Sequence, residues 1–152
     1  MHLSRTNPDY PPEHFLNREL TLLQFQRRVL AQAADPTVPL LERLRFLCIV
    51  SSNLDEFFEI RVSGIKEQIR IGSRKSGEDG IAPAELLERV SDEVHEIIFE
   101  QYQLLNADIL PALEKEGVVF LRRSLWSEAQ RVWIHDYFMR EVMPVLTPIG
   151  FD

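Results

Sequence analysis

Between Leu86 and Leu113 apolar residues return at helical spacing: Leu86, Leu87, Val90, Val94, Ile97, Ile98, Tyr102, Leu105, Ile109 and Leu113. A stripe with a 3.6-residue period held over this length predicts a long amphipathic helix that lays one face on a core. Pro83 suits its first turn, where a missing N–H costs nothing. Pro111 falls inside the pattern and is expected to kink the helix or mark its last turns. Gly117 is the natural C′ residue, where a left-handed backbone is needed. Such a helix requires other helices to cover its stripe, and the rest of the chain supplies them.

The first runs from Leu20 to Ala34. Thr21 and Gln24 read as a capping box, with Leu20 and Phe25 as a hydrophobic staple. Leu22, Phe25, Val29 and Ala33 share one face, which Leu23 and Leu30 widen. Asp35-Pro36 and Pro39 end it. A second helix should begin near Pro39 with Leu40, Leu41, Leu44, Leu47 and Cys48 inward and Glu42, Arg43 and Arg45 opposite. Ser51-Ser52-Asn53 interrupts the apolar run. Asn53 with Glu56 resembles a further N-terminal cap, followed by Leu54, Phe58, Val62, Ile65 and Ile69 at helical spacing. Either one helix passes through the serines or two meet at Asn53. Gly72 to Gly80 reads as a loop, and Val118 to Leu121 as a strand or extended linker. Ser127 and Gln130 form another capping box, opening a helix to about Val142 with Val132, Ile134, Tyr137 and Phe138. Pro144 stops it, and Val145 to Ile149 reads as extended. One terminal strand has no pairing partner, so the sequence is expected to be part of something longer. The expected fold class is all-α: an antiparallel helical bundle with one long helix, plus a short C-terminal fragment, helix and extended segment, of the next domain.

At 152 residues the prior is one core plus a small extension. The net charge of −7 argues against nucleic acid or an anionic membrane surface as partner, because such binding needs clustered Lys and Arg. Cys48 stands alone, so no intramolecular disulfide is expected and a reducing cytoplasm is the natural location. No stretch approaches the ~18 apolar residues of a membrane span. Met1 to Glu13 is polar, with Pro8, Pro11 and Pro12, and reads as a loose tail rather than a targeting segment.

Histidines 2, 14, 95 and 135 are scattered without metal-ligand spacing and read as surface or partly buried residues. No glycine-rich phosphate loop or nucleophile elbow occurs, and Cys48 reads as core packing. Three features remain. In Ser51-Ser52-Asn53-Leu54-Asp55-Glu56-Phe57-Phe58 the plain reading is a cap with acidic residues at a helix N-terminus. The functional reading is that Asn53 offers its amide, donor and acceptor together, to the edge of a nucleobase or another polar ligand. Arg61, Lys66, Arg70, Arg74 and Lys75 read as a solvated face paired with Glu59, Glu67 and Glu78 rather than a phosphate track. Phe46, Phe57 and Phe58 read as core.

The run Phe15-Leu16-Asn17-Arg18-Glu19-Leu20-Thr21-Leu22-Leu23-Gln24-Phe25, then Arg28-Val29-Leu30 and Ala33, resembles the opening of the bacterial polyphosphate kinases. Pro39 to Leu47 and the block from Ser52 to Val62, with its Asn-Leu-Asp-Glu-Phe core, follow in the family's order. Tyr137-Phe138 and Pro144 to Pro148 resemble the start of the family's next domain. The resemblance implies a helical N-terminal domain at 15–120 and the truncated start of the following domain at 121–152, and the polar residues 1–14 before them are expected to be a flexible tail. It implies an oligomeric parent enzyme that reversibly moves the terminal phosphate of ATP onto polyphosphate through a phosphohistidine. The position matching Asn53 binds nucleotide at the adenine end of the ATP site. Phe46, Asp55, Glu56 and Arg61 match as structural supports.

The family's phosphate-accepting histidine, its Mg2+-binding residues and its basic tunnel belong to later domains, so no catalytic or metal-binding residue is expected in this chain. Phosphoryl transfer needs concentrated positive charge around the moving oxygens, and a −7 segment is expected to be inert alone. ATP or ADP, polyphosphate, the remaining domains and a second copy are the partners the resemblance implies. Rival readings are a non-enzymatic helical dimerisation module built on Pro83 to Lys115, and a stand-alone nucleotide-binding regulator.

Overall fold

Asn17, not Thr21, caps the first helix. Its Oδ1 accepts from Leu20 N at 3.0 Å, and α1 runs Arg18–Ala34. Asparagine is a stronger N-cap than threonine, and here its Nδ2 also donates to Asp79 Oδ2 at 2.6 Å. Thr21 Oγ1 instead donates back to Asn17 O at 2.7 Å, and Gln24 reaches Glu93. The capping box expected at Thr21 and Gln24, and with it a staple of Leu20 and Phe25 across the helix start, is therefore absent. The inner face of α1 is Leu23, Gln26, Leu30 and Ala33, rotated from the expected stripe, while Phe25 is 46% exposed.

The computed structural model describes residues 10–73 and 76–147, without the side chain of Glu13. His2, Arg74, Lys75 and the Pro148-Ile149 end of the expected extended segment lie outside the described residues. Among those described there is no strand, and the fold is the expected all-α helical bundle. The chain divides into two compact units, Met1–Glu116 and Gly117–Asp152.

In the first unit one turn of 3-10 helix, Pro12–His14, precedes α1. Residues 35–39 turn the chain into α2, Leu40–Phe57, which packs against α1. The backbone stays right-handed helical through a π-turn, Phe58–Val62, into α3, Ser63–Arg70. One helix thus passes through the serines, and Asn53 is not a cap, because no helix begins there. The 72–80 loop leads to α4, Pro83–Leu104, which crosses both α1 and α3. A second π-turn, Leu105–Ile109, precedes α5, Leu110–Lys115, and Pro111 sits in the first turn of α5. The wider π-turn lies where the Pro111 ring would otherwise crowd the preceding turn. Gly117 takes φ +82°, the left-handed conformation expected after a helix end.

Leu23, Val50, Ile97 and Ile109 have no exposed surface and anchor the core, with Val90, Val94 and Leu113 beside them. Three polar side chains enter it, Gln26, Arg43 and Gln101, each with a hydrogen-bond partner. Arg43, expected on the outer face, is buried because its Nε donates to Ala33 O at 2.7 Å and a terminal nitrogen meets Asp108. Gln101 donates from Nε2 to Leu47 O at 2.9 Å and to Ser51 Oγ at 2.7 Å. Cys48, expected inside, is exposed, because Leu47 and Val50 take the inward positions of that turn. Arg27 binds Glu93, Glu96 and Glu100 together and ties α1 to α4.

In the second unit a 3-10 turn, Arg123–Leu125, leads to α6, Glu128–Tyr137. Its capping box is formed: Gln130 N donates to Ser127 Oγ at 3.3 Å and Ser127 N to Gln130 Oε1 at 2.8 Å. A π-turn, Phe138–Val142, and a 3-10 turn, Met143–Val145, follow. Val118 to Leu121 is irregular rather than strand. Most apolar side chains of this unit are exposed, Leu125 at 67% and Trp133 at 66% among them.

Candidate functional site

Asn53, Glu56, Phe57, Ile60 and Arg61 follow one another at steps of three and one, which keeps them on one face of a helix. Leu22, Phe25 and Gln26 do the same on α1. The two faces enclose a cavity of about 290 Å³ lined by these eight residues. That is near the lower end of small-molecule sites, roughly 300–1,000 Å³.

Asn53 is half-buried in its wall, and its Nδ2 donates to Gln26 Oε1 at 2.9 Å. Oδ1 has no hydrogen-bond partner among the described residues. The amide therefore brings a free acceptor and one remaining N–H to the cavity. Phe25 exposes nearly half of its surface at the rim, with the Arg28 guanidinium 5.5 Å from its ring centre. Arg61 is half-buried and lines the cavity, whereas Glu56 lines it from an exposed position. An aromatic edge, an amide and a guanidinium around a small cleft suit a flat ligand with polar edges. They provide no nucleophile.

The other expected residues, Phe57 excepted, stand apart from this cleft. Phe46 is half-buried against the core, and Phe57 is buried. Phe58, expected in the core, is 42% exposed, its ring edge-on to Phe57 at 6.3 Å. Asp55 is exposed. In the basic set Arg70 pairs with Glu67 through two contacts of 2.7 Å, which holds the Glu67 carboxyl below its ordinary range, and Lys66 is exposed. His95 is exposed with Nδ1 2.7 Å from Ser91 O, and His14 and His135 are also exposed. Among the described residues no group of three or more His, Cys, Asp or Glu could hold a metal ion, so these side chains do not fit a Mg2+ site. No helix among them is long and apolar enough to cross a membrane.

Sequence reasoning missed Gln26 and Phe25. The signal for Gln26 was present: it lies between Leu23 and Leu30 on a helical stripe, a polar residue where an apolar one belongs. Apolar spacing alone places Phe25 inward with Leu22 and Val29, whereas Leu23 and Gln26 take the buried positions of that turn.

Comparison with known proteins agrees with the helical fold. The family described as "Polyphosphate kinase N-terminal domain" matches residues 15–121. A polyphosphate kinase of Burkholderia multivorans is 53% identical over 137 residues, covering 90% of this chain and 20% of its own length. One of Neisseria meningitidis serogroup A is also 53% identical over 137 residues, with the same coverage. The crystal structure of polyphosphate kinase from Porphyromonas gingivalis superposes with a TM-score of 0.71 at 28% identity, over 92% of this chain and 19% of that one. The chain thus spans about a fifth of the length of the relatives it matches. Fold and sequence lead to one assignment: this chain belongs to the polyphosphate kinase N-terminal domain family.

Proposed function

We propose that this chain is the amino-terminal part of a polyphosphate kinase, with a helical domain at residues 15–120 and the opening of the next domain at 121–152. The parent enzyme reversibly transfers the terminal phosphate of ATP to polyphosphate through a phosphohistidine outside this chain. The helical domain borders the adenine end of the ATP site and supports assembly of the oligomer. Mg2+ and the residues that grip the phosphates belong to later domains, and the enzyme works in the cytoplasm. Exposed Leu125 and Trp133 fit a segment that is covered by the rest of its domain.

The observation that carries this reading is the Asn53 amide, half-buried in a cleft with Oδ1 lacking a protein partner among the described residues. An amide so placed complements the amino group and ring nitrogen of adenine. The net charge of −7 supports a bordering role rather than phosphoryl transfer, which needs positive charge at the moving oxygens.

The test is Asn53→Ala in the full-length enzyme. One or two hydrogen bonds of ~1 kcal/mol each would be lost, so KM for ATP should rise about tenfold with kcat nearly kept. An unchanged KM would return Asn53 to a purely structural role.

A further inference from the structure

We propose that Phe25 supplies the surface on which the base of the nucleotide stacks, so that α1 meets the flat face of the base while Asn53 on α2 meets its edge. The inference rests on the reading of Asn53 as a base contact and adds the residue that holds the plane of the ring.

Phe25 and Gln26 stand in each other's ordinary places. Phenylalanine belongs inside a helical bundle and glutamine outside, yet Phe25 is 46% exposed and Gln26 only 8%. The inversion falls at the cleft, which both residues line, and Gln26 is hydrogen-bonded to Asn53 at 2.9 Å. The phenyl ring is thus one residue along α1 from the side chain that touches the Asn53 amide. Phe57, the other aromatic residue in the cleft wall, is 6% exposed and belongs to the core. Among the residues lining the cleft, Phe25 alone brings an accessible aromatic ring.

That ring is open to planar groups. The Arg28 guanidinium already lies over it, 5.5 Å from the centroid. At 3.6 residues per turn, Gln26 and Arg28 flank Phe25 on opposite sides of the helix. Arg28 does not line the cleft. The guanidinium comes from the side away from the cleft, which leaves the cleft side of the ring to a second flat group. Stacking on an aromatic side chain is open to any base, because every base has a π-face, and an inorganic phosphate chain has none.

The experiment measures KM in the full-length enzyme for ATP in polymer synthesis, and for ADP and polyphosphate in the reverse direction. Phe25→Leu, apolar but without a π-face, should raise KM for ATP and ADP about tenfold while kcat and KM for polyphosphate are kept. Phe25→Tyr retains the ring and should restore KM for ATP to within about twofold of wild type. Phe25→Trp reports directly: after subtraction of the wild-type signal, ATP should quench its fluorescence and inorganic tripolyphosphate should not. That titration provides a readout if Phe25→Leu does not fold. Asn53→Ala is the reference arm. The stacking role is overturned, and the edge contact stands, if Asn53→Ala raises KM for ATP while Phe25→Leu leaves it unchanged or Phe25→Tyr raises it as much as Phe25→Leu. It is overturned equally if Phe25→Trp does not respond to ATP, or responds as much to tripolyphosphate. If Asn53→Ala leaves KM unchanged, the edge contact fails, and stacking survives only where Phe25→Leu still raises it.

Discussion

Arg43 Nε donates to the main-chain carbonyl of Ala33 at 2.7 Å, so a buried guanidinium on α2 caps the C-terminal turn of α1 from inside the core. That carbonyl is one of the last four of its helix and has no amide partner within it. Removing the guanidinium leaves a buried acceptor unpaired, which costs about 1–3 kcal/mol. Arg43→Met should therefore lower the stability of the chain by about 2 kcal/mol in urea unfolding. Arg45→Met, which removes an exposed pair to Glu42 at 3.5 Å, should change it by less than ~1 kcal/mol. Equal effects of the two would deny Arg43 its capping role.

Asp35 governs a pH dependence at the same corner. Its Oδ1 accepts from Thr37 Oγ1 at 2.7 Å and Thr37 N at 2.8 Å, which holds its carboxyl below the ordinary 3.8, with the Thr37 hydroxyl as the largest cause. A carboxyl depressed on folding adds stability that is present above its unfolded pKa and lost as pH falls through its folded pKa. An NMR titration should place the Asp35 midpoint below 3.8. Thr37→Val, which keeps only the backbone donor, should move it upward. A midpoint indifferent to Thr37→Val would remove the hydroxyl from the account.

Gly117 carries φ +82° with nothing within 4 Å of where a Cβ would stand. Gly117→Ala should cost about 1–2 kcal/mol, all of it from the left-handed backbone. A neutral result in thermal unfolding would mean that the chain leaves α5 by a different turn.

Residues 1–152 alone should incorporate no label from γ-labelled ATP under conditions in which the full-length enzyme does. Incorporation would contradict the assignment of the transfer chemistry to later domains.

The helices were legible because their apolar periods are long and their stop signals strong: Pro36 and Pro39 ended α1 before Asp35, and Ser127 with Gln130 opened α6 as written. The start of α1 differs from the sequence reading because both Asn17 and Thr21 are capping residues, and the contact with distant Asp79 adds to the stronger capping of asparagine. The inner face was displaced because Leu22, Phe25 and Val29 are apolar yet lie outside the buried positions, one of which polar Gln26 fills. Arg43 was placed outside because charge alone implies solvent, while its partners, Ala33 O and Asp108, are set by tertiary packing. Asn53 stands in the sequence as a polar residue within an apolar run, but its neighbour across the cleft comes from another helix, 27 residues away in the chain.

The most direct measurement is photolabelling of the full-length enzyme with 8-azido-ATP, followed by peptide mapping. Label that excess ATP suppresses should be recovered on peptides spanning Leu22 to Gln26 or Asn53 to Arg61. ATP-protectable label found only outside residues 15–120 would contradict the claim that this helical domain borders the adenine.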